Sequence, residues 1–139
     1  VLTFSVAFIL GAAFCPFATI LLWPTDEMAS RGLNVDLLFG ALIAIAGGAA
    51  VAVAECNANI SSIVGIGIAA SLLPPTVNSG LCLASVFLGP LVAPHIDFDE
   101  KVYLEIAWGS VLLVLVNVFF IYSTAFTLFK MITPLQQFR

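Results

Sequence analysis

Residues 60–93 read ISSIVGIGIAASLLPPTVNSGLCLASVFLGPLVA and contain no charged side chain. A straight α-helix of this length would be about 51 Å long, whereas the hydrocarbon core of a bilayer is about 30 Å thick. Pro74 and Pro75 stand near the middle of the run, and proline lacks the N–H group that an internal helix position donates. The run therefore predicts a membrane helix, at residues 60–88, that is broken at Pro74-Pro75.

The composition of the whole chain also indicates a membrane protein. Of its 139 residues, 62% are hydrophobic and 9% are charged, whereas about a quarter of the residues in soluble domains are charged. The sequence predicts an all-α, polytopic transmembrane helical bundle in a cell or inner membrane. The chain forms one domain, 1–139, with about four crossings near residues 2–23, 33–54, 60–88 and 103–129. Because the chain starts inside an apolar run, we expect it to be a fragment of a longer protein.

Small side chains recur at every fourth position in two of these spans. They are Gly40, Ala44, Gly48 and Ala52 in the second span and Ser61, Gly65 and Ala69 in the third. Small residues let membrane helices approach closely. We therefore expect the two stripes to pack against each other. A homo-oligomer is also expected, since four spans hardly enclose a polar cavity alone.

The predicted break points to a binding site. Pro74 and Pro75 cannot donate to the carbonyls of Ala70 and Ser71, and a second half-helix starting near Thr76 would begin with free N–H groups. Transporters hold ions and solutes on such groups of discontinuous helices. The candidate residues for binding a solute or ion are Ala70, Ser71, Thr76, Asn78, Ser79, Asn117 and Glu55.

Each of these candidates also has a structural interpretation. A helix that is only kinked could have its freed carbonyls satisfied by a neighbouring span, for example by Asn117, which would then join two helices. Glu55 lies at the end of the second span and is expected to be a solvated carboxylate at the membrane interface. An unbroken helix packed only against lipid, or a dry interior in which every such polar atom is satisfied, would remove the basis for transport.

Little in the sequence indicates an enzyme, a cofactor or a metal site. The chain has one His and no metalloprotease, hydrolase or phosphate-loop motif, so acid–base catalysis is not expected. Cys15, Cys56 and Cys82 are unpatterned, and the acidic residues near Asp99 are expected to be solvated. The net charge of −4 argues against nucleic acid. The expected partners are the lipid bilayer, further copies of the chain and a small solute or ion.

Residues 61–75, SSIVGIGIAASLLPP, resemble the signature stretch of a membrane family known as domain of unknown function 389. Further features agree with the family pattern: Pro24-Thr25-Asp26-Glu27, the small-residue span, Glu55 with Ser61-Ser62, and Asn117. The resemblance covers nearly the whole chain. It implies a multi-span domain that usually has a further span, and often a soluble domain, before Val1, but it implies no substrate. Thr76-Val77-Asn78-Ser79 replaces a mostly apolar continuation.

Three functional hypotheses follow. The favoured one is a membrane transport or channel-like domain with a solute or ion pathway near a discontinuous helix. The alternative is a structural or sensory membrane module that anchors and oligomerises an upstream soluble domain. A third hypothesis, an intramembrane enzyme, would need Glu55 for turnover. Access of water to Asn78 or Ser79 would distinguish a transport pathway from a purely structural core.

Overall fold

The computed structural model describes residues 1–18, 20, 22–30, 34–56, 61–94 and 99–137. These residues form helices and no strand, which confirms the predicted all-α class. The elements are α1 (Leu2–Phe14), a 3₁₀ turn (Cys15–Phe17), α2 (Asp26–Ser30), α3 (Asn34–Cys56), α4 (Ser61–Val92) and α5 (Glu100–Gln137). Within the described ranges, α3, α4 and α5 are long and apolar enough to cross a membrane.

The first helix is shorter than the sequence predicts. Its α-helical part ends at Phe14 and is followed by the 3₁₀ turn, so the expected single helix over residues 2–23 is wrong. Pro16 explains the difference, because proline removes a backbone donor and disfavours helical geometry in the residue before it. At about 20 Å, α1 is shorter than a membrane span.

The predicted break in α4 is also wrong. The helix runs from Ser61 through Pro74 and Pro75 to Val92 as one element. The main-chain carbonyl that Pro75 leaves without its helical donor obtains another partner: Asn117 Nδ2 of α5 donates to Ser71 O at 2.9 Å. Neighbouring helices often satisfy such groups beside prolines in membranes. The sequence shows the missing donor but not its replacement.

Two hydrogen-bonded pairs join α4 to α5. Asn78 Nδ2 donates to Ser110 Oγ at 2.9 Å, and the Asn117–Ser71 bond lies on the other side of Pro75. The pairs are seven residues apart in both helices and occur in opposite order along the chain, so α4 and α5 are antiparallel. Seven residues correspond to about 10 Å of helix, and the two bonds therefore hold α4 on both sides of its prolines.

The other helices pack along different halves of α4. Gly11 of α1 approaches Leu81 and Ala84, whereas α3 lies nearer the first half of α4, where Gly40 meets Leu113 and Asn117 of α5. Gly48 meets Ile121 and Thr124, further along α5, so α3 and α5 are parallel. The three long helices therefore alternate in direction.

The two small-residue stripes do not pack against each other as expected. A Cβ on Gly48 would lie 2.5 Å from the carbonyl oxygen of Ile121, and one on Gly40 would lie 2.6 Å from Leu113 Cδ1, so the α3 stripe packs on α5. Ala44 and Ala52 on the same stripe are buried. On α4, Gly65 faces open space, Ala69 is half-buried, and the side chain of Ser61 is outside the described part. Small residues permit close approach without specifying the partner.

Adjacent glycines of α3 provide a matched test of this packing. We expect Gly48→Ala to destabilise the fold by about 1–3 kcal/mol, because its Cβ overlaps the Ile121 backbone and overpacking has this magnitude. Gly47→Ala should be neutral or stabilising by up to about 1 kcal/mol, since its Cβ would meet only Ile121 Cγ1 at 3.9 Å and alanine favours helix. Reversible denaturant unfolding in mixed micelles measures both, and equal effects would contradict the α3–α5 contact.

Candidate functional site

Asn78 is the centre of a buried polar contact among three helices. Its side chain is 3% exposed, and Nδ2 donates to Ser110 Oγ at 2.9 Å and to the main-chain oxygen of Met28 at 3.1 Å. Cys82 Sγ approaches Asn78 Oδ1 at 3.9 Å. Both polar ends of the Asn78 amide are therefore engaged, and the residue connects α4 with α5 and α2.

The short helix α2 begins directly after Thr25. Thr25 Oγ1 accepts a hydrogen bond from Met28 N at 3.3 Å and so caps the helix, while the Met28 side chain is buried. A Thr followed by two acidic residues is a helix-start signal, which the sequence offers at Thr25-Asp26-Glu27. Asp26 and Glu27 are exposed. Because Met28 bonds to Asn78, this polar segment meets α4 near the middle of its apolar stretch, Val64–Val92.

Asn117 presents an oxygen that is not satisfied. The side chain is 2% exposed, and its Nδ2 donates to Ser71 O. Oδ1 is buried and has no hydrogen-bond partner within the described ranges. Since a carbonyl oxygen can only accept, the Ser71 contact fixes which end of the amide is nitrogen. Gly40 allows this arrangement, because a Cβ there would lie 3.0 Å from Asn117 Oδ1.

Two open grooves flank the paired prolines. The Pro74 groove, between α2 and α4, has a volume of about 380 Å³ and is lined by residues that include Glu27, Leu73, Pro74 and Asn78. The Pro75 groove, between α3, α4 and α5, has a volume of about 180 Å³. It is lined by Phe39, Gly40, Ile43, Ala70, Ser71, Pro75, Leu113 and Asn117. Predicted site residues therefore divide between two sides of α4.

Three of the predicted hydroxyl groups bond to their own helix. Ser71 donates to Ile68 O at 2.9 Å, Thr76 donates to Leu72 O at 2.7 Å, and Ser79 donates to Thr76 O at 2.9 Å. Thr76 and Ser79 line neither of the two grooves. Their hydroxyl protons are donated to main-chain oxygens of the preceding turn, as Ser and Thr commonly do in helices.

The remaining acidic candidates lie away from the prolines or outside the described residues. Glu55 is in the last turn of α3, and its side chain is outside the described part. Asp99 Oδ1 accepts hydrogen bonds from Lys101 N and Val102 N at 3.2 and 3.5 Å, so it caps α5. Asp97 and His95 are not among the residues that the structure describes. Among the described residues, no group of three or more His, Cys, Asp or Glu could hold a metal ion.

The unbroken α4 changes the chemistry available at the prolines. Without a second half-helix there is no new helix N-terminus, and hence no set of free N–H groups for an anion. The oxygen atoms remain. Asn117 Oδ1 lacks a partner within the described structure, and the Ala70 carbonyl, in the same groove, cannot receive a helical hydrogen bond from Pro74.

A double-mutant cycle tests the Asn78–Ser110 contact. We expect Asn78→Ala and Ser110→Ala to be coupled by about 0.6 kcal/mol, and by no more than about 1.7, as for other hydrogen bonds between membrane helices. Asn117→Ala should instead be additive with Ser110→Ala, because the two sites share no partner. Unfolding free energies in mixed micelles give both terms. Equal coupling in the two cycles would contradict the two separate pairs.

The comparisons with known proteins agree with the sequence signature. The family model described as Domain of unknown function (DUF389) matches residues 1–123. No curated protein and no solved structure matches the chain. Since the match covers most of the sequence, from α1 to the second half of α5, the chain belongs to the family described as Domain of unknown function (DUF389).

Proposed function

We propose that this chain is a multi-pass membrane transport or channel-like domain, in which a small solute or ion passes beside Pro74 and Pro75. The observation that carries the proposal is the position of α2. This short polar helix is held against the middle of the apolar stretch of α4 by the bond between Asn78 and Met28 O. The basis for transport is thus a polar segment beside an intact helix, and not an interrupted helix.

A polar segment at this depth needs water or more protein around it. Non-helical backbone and charged side chains are tolerated within a membrane only where they are buried in protein or line a wet cavity. Asp26 and Glu27 are exposed, so the rest of the described chain does not cover them. The Pro74 groove beside them, with about 380 Å³, has room for several water molecules at about 30 Å³ each.

Cysteine accessibility tests this proposal with a control at the same depth. The pairing of Ser71 with Asn117 sets Leu73 opposite Leu115, and both leucines are well exposed, at 45% and 60%. Leu73 lines the Pro74 groove, whereas Leu115 lines neither the Pro74 groove nor the Pro75 groove. In complete protein without its native cysteines, we expect Leu73→Cys to react with a membrane-impermeant thiol reagent. Leu115→Cys should react at least about tenfold more slowly, because a thiolate is not formed in lipid.

Protection of both introduced thiols would contradict the pathway and favour the second candidate, a structural or sensory module that anchors and oligomerises an upstream soluble domain. The continuity of α4 and the fully engaged Asn78 amide favour this candidate, because both describe a rigid core. Equal and rapid reaction at both positions would show only a wet protein surface at this level, and would contradict the membrane depth assigned to α2.

The transport proposal includes a homo-oligomer. Both grooves are open on one side, and α3, α4 and α5 carry many large exposed apolar side chains. Further copies of the chain, arranged with closed symmetry as in most homo-oligomers, would supply the missing walls of a pathway. Native mass spectrometry of the complete protein released from detergent gives the subunit number. A monomer at all protein concentrations would contradict the shared pathway.

A further inference from the structure

We infer that the Pro75 groove binds a small monovalent cation through the side-chain oxygen of Asn117, an inference that rests on the transport function proposed above. It names the class of solute and the atom that recognises it. The evidence is the orientation of the Asn117 amide, the loss of a helical donor at Ala70, and the open space beside Gly67.

The Asn117 oxygen is held ready for a ligand. The Ser71 carbonyl binds the amide nitrogen at 2.9 Å, so the oxygen cannot exchange places with the nitrogen without setting two acceptors against each other. Asn117 lines the groove, its side-chain oxygen is buried, and no described residue donates to that oxygen. An unsatisfied buried acceptor is unfavourable by about 1–3 kcal/mol, which a bound cation or donor would offset.

A second oxygen without its helical donor belongs to Ala70, which lines the same groove. Pro74 cannot supply the N–H group that would bond the Ala70 carbonyl in an α-helix, and Ala70 is exposed in this lining. Amide and main-chain carbonyl oxygens are the uncharged ligands with which channels replace the hydration shell of monovalent cations. Proline and asparagine together thus leave two such oxygens without donors, on two residues that line one groove.

The face of α4 that precedes Ser71 is open at Gly67. Gly67 precedes Ser71 by one turn, on the same face of the helix, and a Cβ at Gly67 would meet nothing within 4 Å. By contrast, Cβ atoms at Gly11, Gly40, Gly48 and Gly80 would all lie within 3 Å of a neighbouring atom. The helix surface one turn before Ser71 is therefore not covered by the described part of this chain.

The chemistry of the lining selects the class of ion. An anion would need several N–H or cationic groups, but among the described residues of this lining the side-chain nitrogen is that of Asn117, and one of its two N–H groups donates to Ser71 O. A divalent cation is usually held by carboxylates, and none of the described residues that line the Pro75 groove is acidic. A monovalent cation has the smallest desolvation requirement of the ions that bind oxygen.

Cation protection of a thiol introduced into the groove tests the inference. Complete protein carrying Ala70→Cys in place of its native cysteines is reconstituted in proteoliposomes and treated with an uncharged thiol reagent. Sodium, potassium or ammonium then replaces N-methylglucamine at constant chloride and ionic strength. We expect at least one of them to slow the reaction, about tenfold at ten times its dissociation constant. Leu73→Cys in the Pro74 groove is the reference and should show no such dependence.

The outcomes separate the inference from the function on which it rests. If the Leu73→Cys and Ala70→Cys variants both react but no cation changes the rate of the Ala70→Cys variant, the cation site is wrong and the transport proposal stands. Protection by glycerol or by exchange of chloride for iodide, without protection by cations, would also overturn the cation site. If neither variant reacts, the grooves are dry and both proposals fail.

Two asparagine variants assign the effect to a residue. Added to Ala70→Cys, Asn117→Leu should abolish the protection by cations, whereas Asn78→Leu should retain it, because the Asn78 amide is already engaged by Met28, Ser110 and Cys82. Both residues are buried between α4 and α5, so they are matched in their effect on packing. Protection that survives Asn117→Leu would overturn the assignment. The main measurement has Asn117 intact and does not depend on the folding of these variants.

Discussion

The hydrogen bond from Asn117 to the Ser71 carbonyl is the contact on which the middle of this domain depends. Two consecutive prolines remove two internal helix donors, and a proline in a helix interior costs about 3 kcal/mol or more. A lipid environment offers no water to compensate. Asn117 satisfies one of the two carbonyls from another helix, and Thr76 adds its hydroxyl to the Leu72 carbonyl. Helix α4 therefore continues because α5 lies beside it.

The arrangement of the other helices follows from this pairing. Asn78 and Asn117 fix the antiparallel register of α4 and α5 on both sides of the prolines. Gly40 then lets α3 approach close to the Asn117 amide, and Gly48 brings α3 against the Ile121 backbone. The second asparagine also reaches Met28 O, which positions α2. Two amide side chains thus connect four of the five helices.

Length and apolar composition were sufficient to predict the three long helices, because each span must bury its own backbone hydrogen bonds whatever its neighbours are. They did not predict the end of α1 at Phe14, before Pro16. The polar residues that meet at the prolines were also visible in the sequence. Their partners were not. Ser71 and Asn117 are 46 residues apart, and a missing donor in a sequence does not reveal which distant side chain replaces it. The glycine stripe of α3 similarly indicated a close contact, but α5 and not α4 provides the surface.

The correction at the prolines also changes the chemistry that this domain can present. A truly broken helix would expose both ends, with N–H groups for anions and carbonyls for cations. A continuous helix with paired prolines exposes no N–H group, because it has no new N-terminus. When an asparagine nitrogen donates to one of these carbonyls, the carbonyl is satisfied, but the side-chain oxygen of the same asparagine remains without a donor. The number of unsatisfied oxygens is conserved, and they remain uncharged. A helix stabilised in this way keeps its continuity and leaves more oxygen acceptors than N–H donors without partners, which favours electropositive ligands over anions.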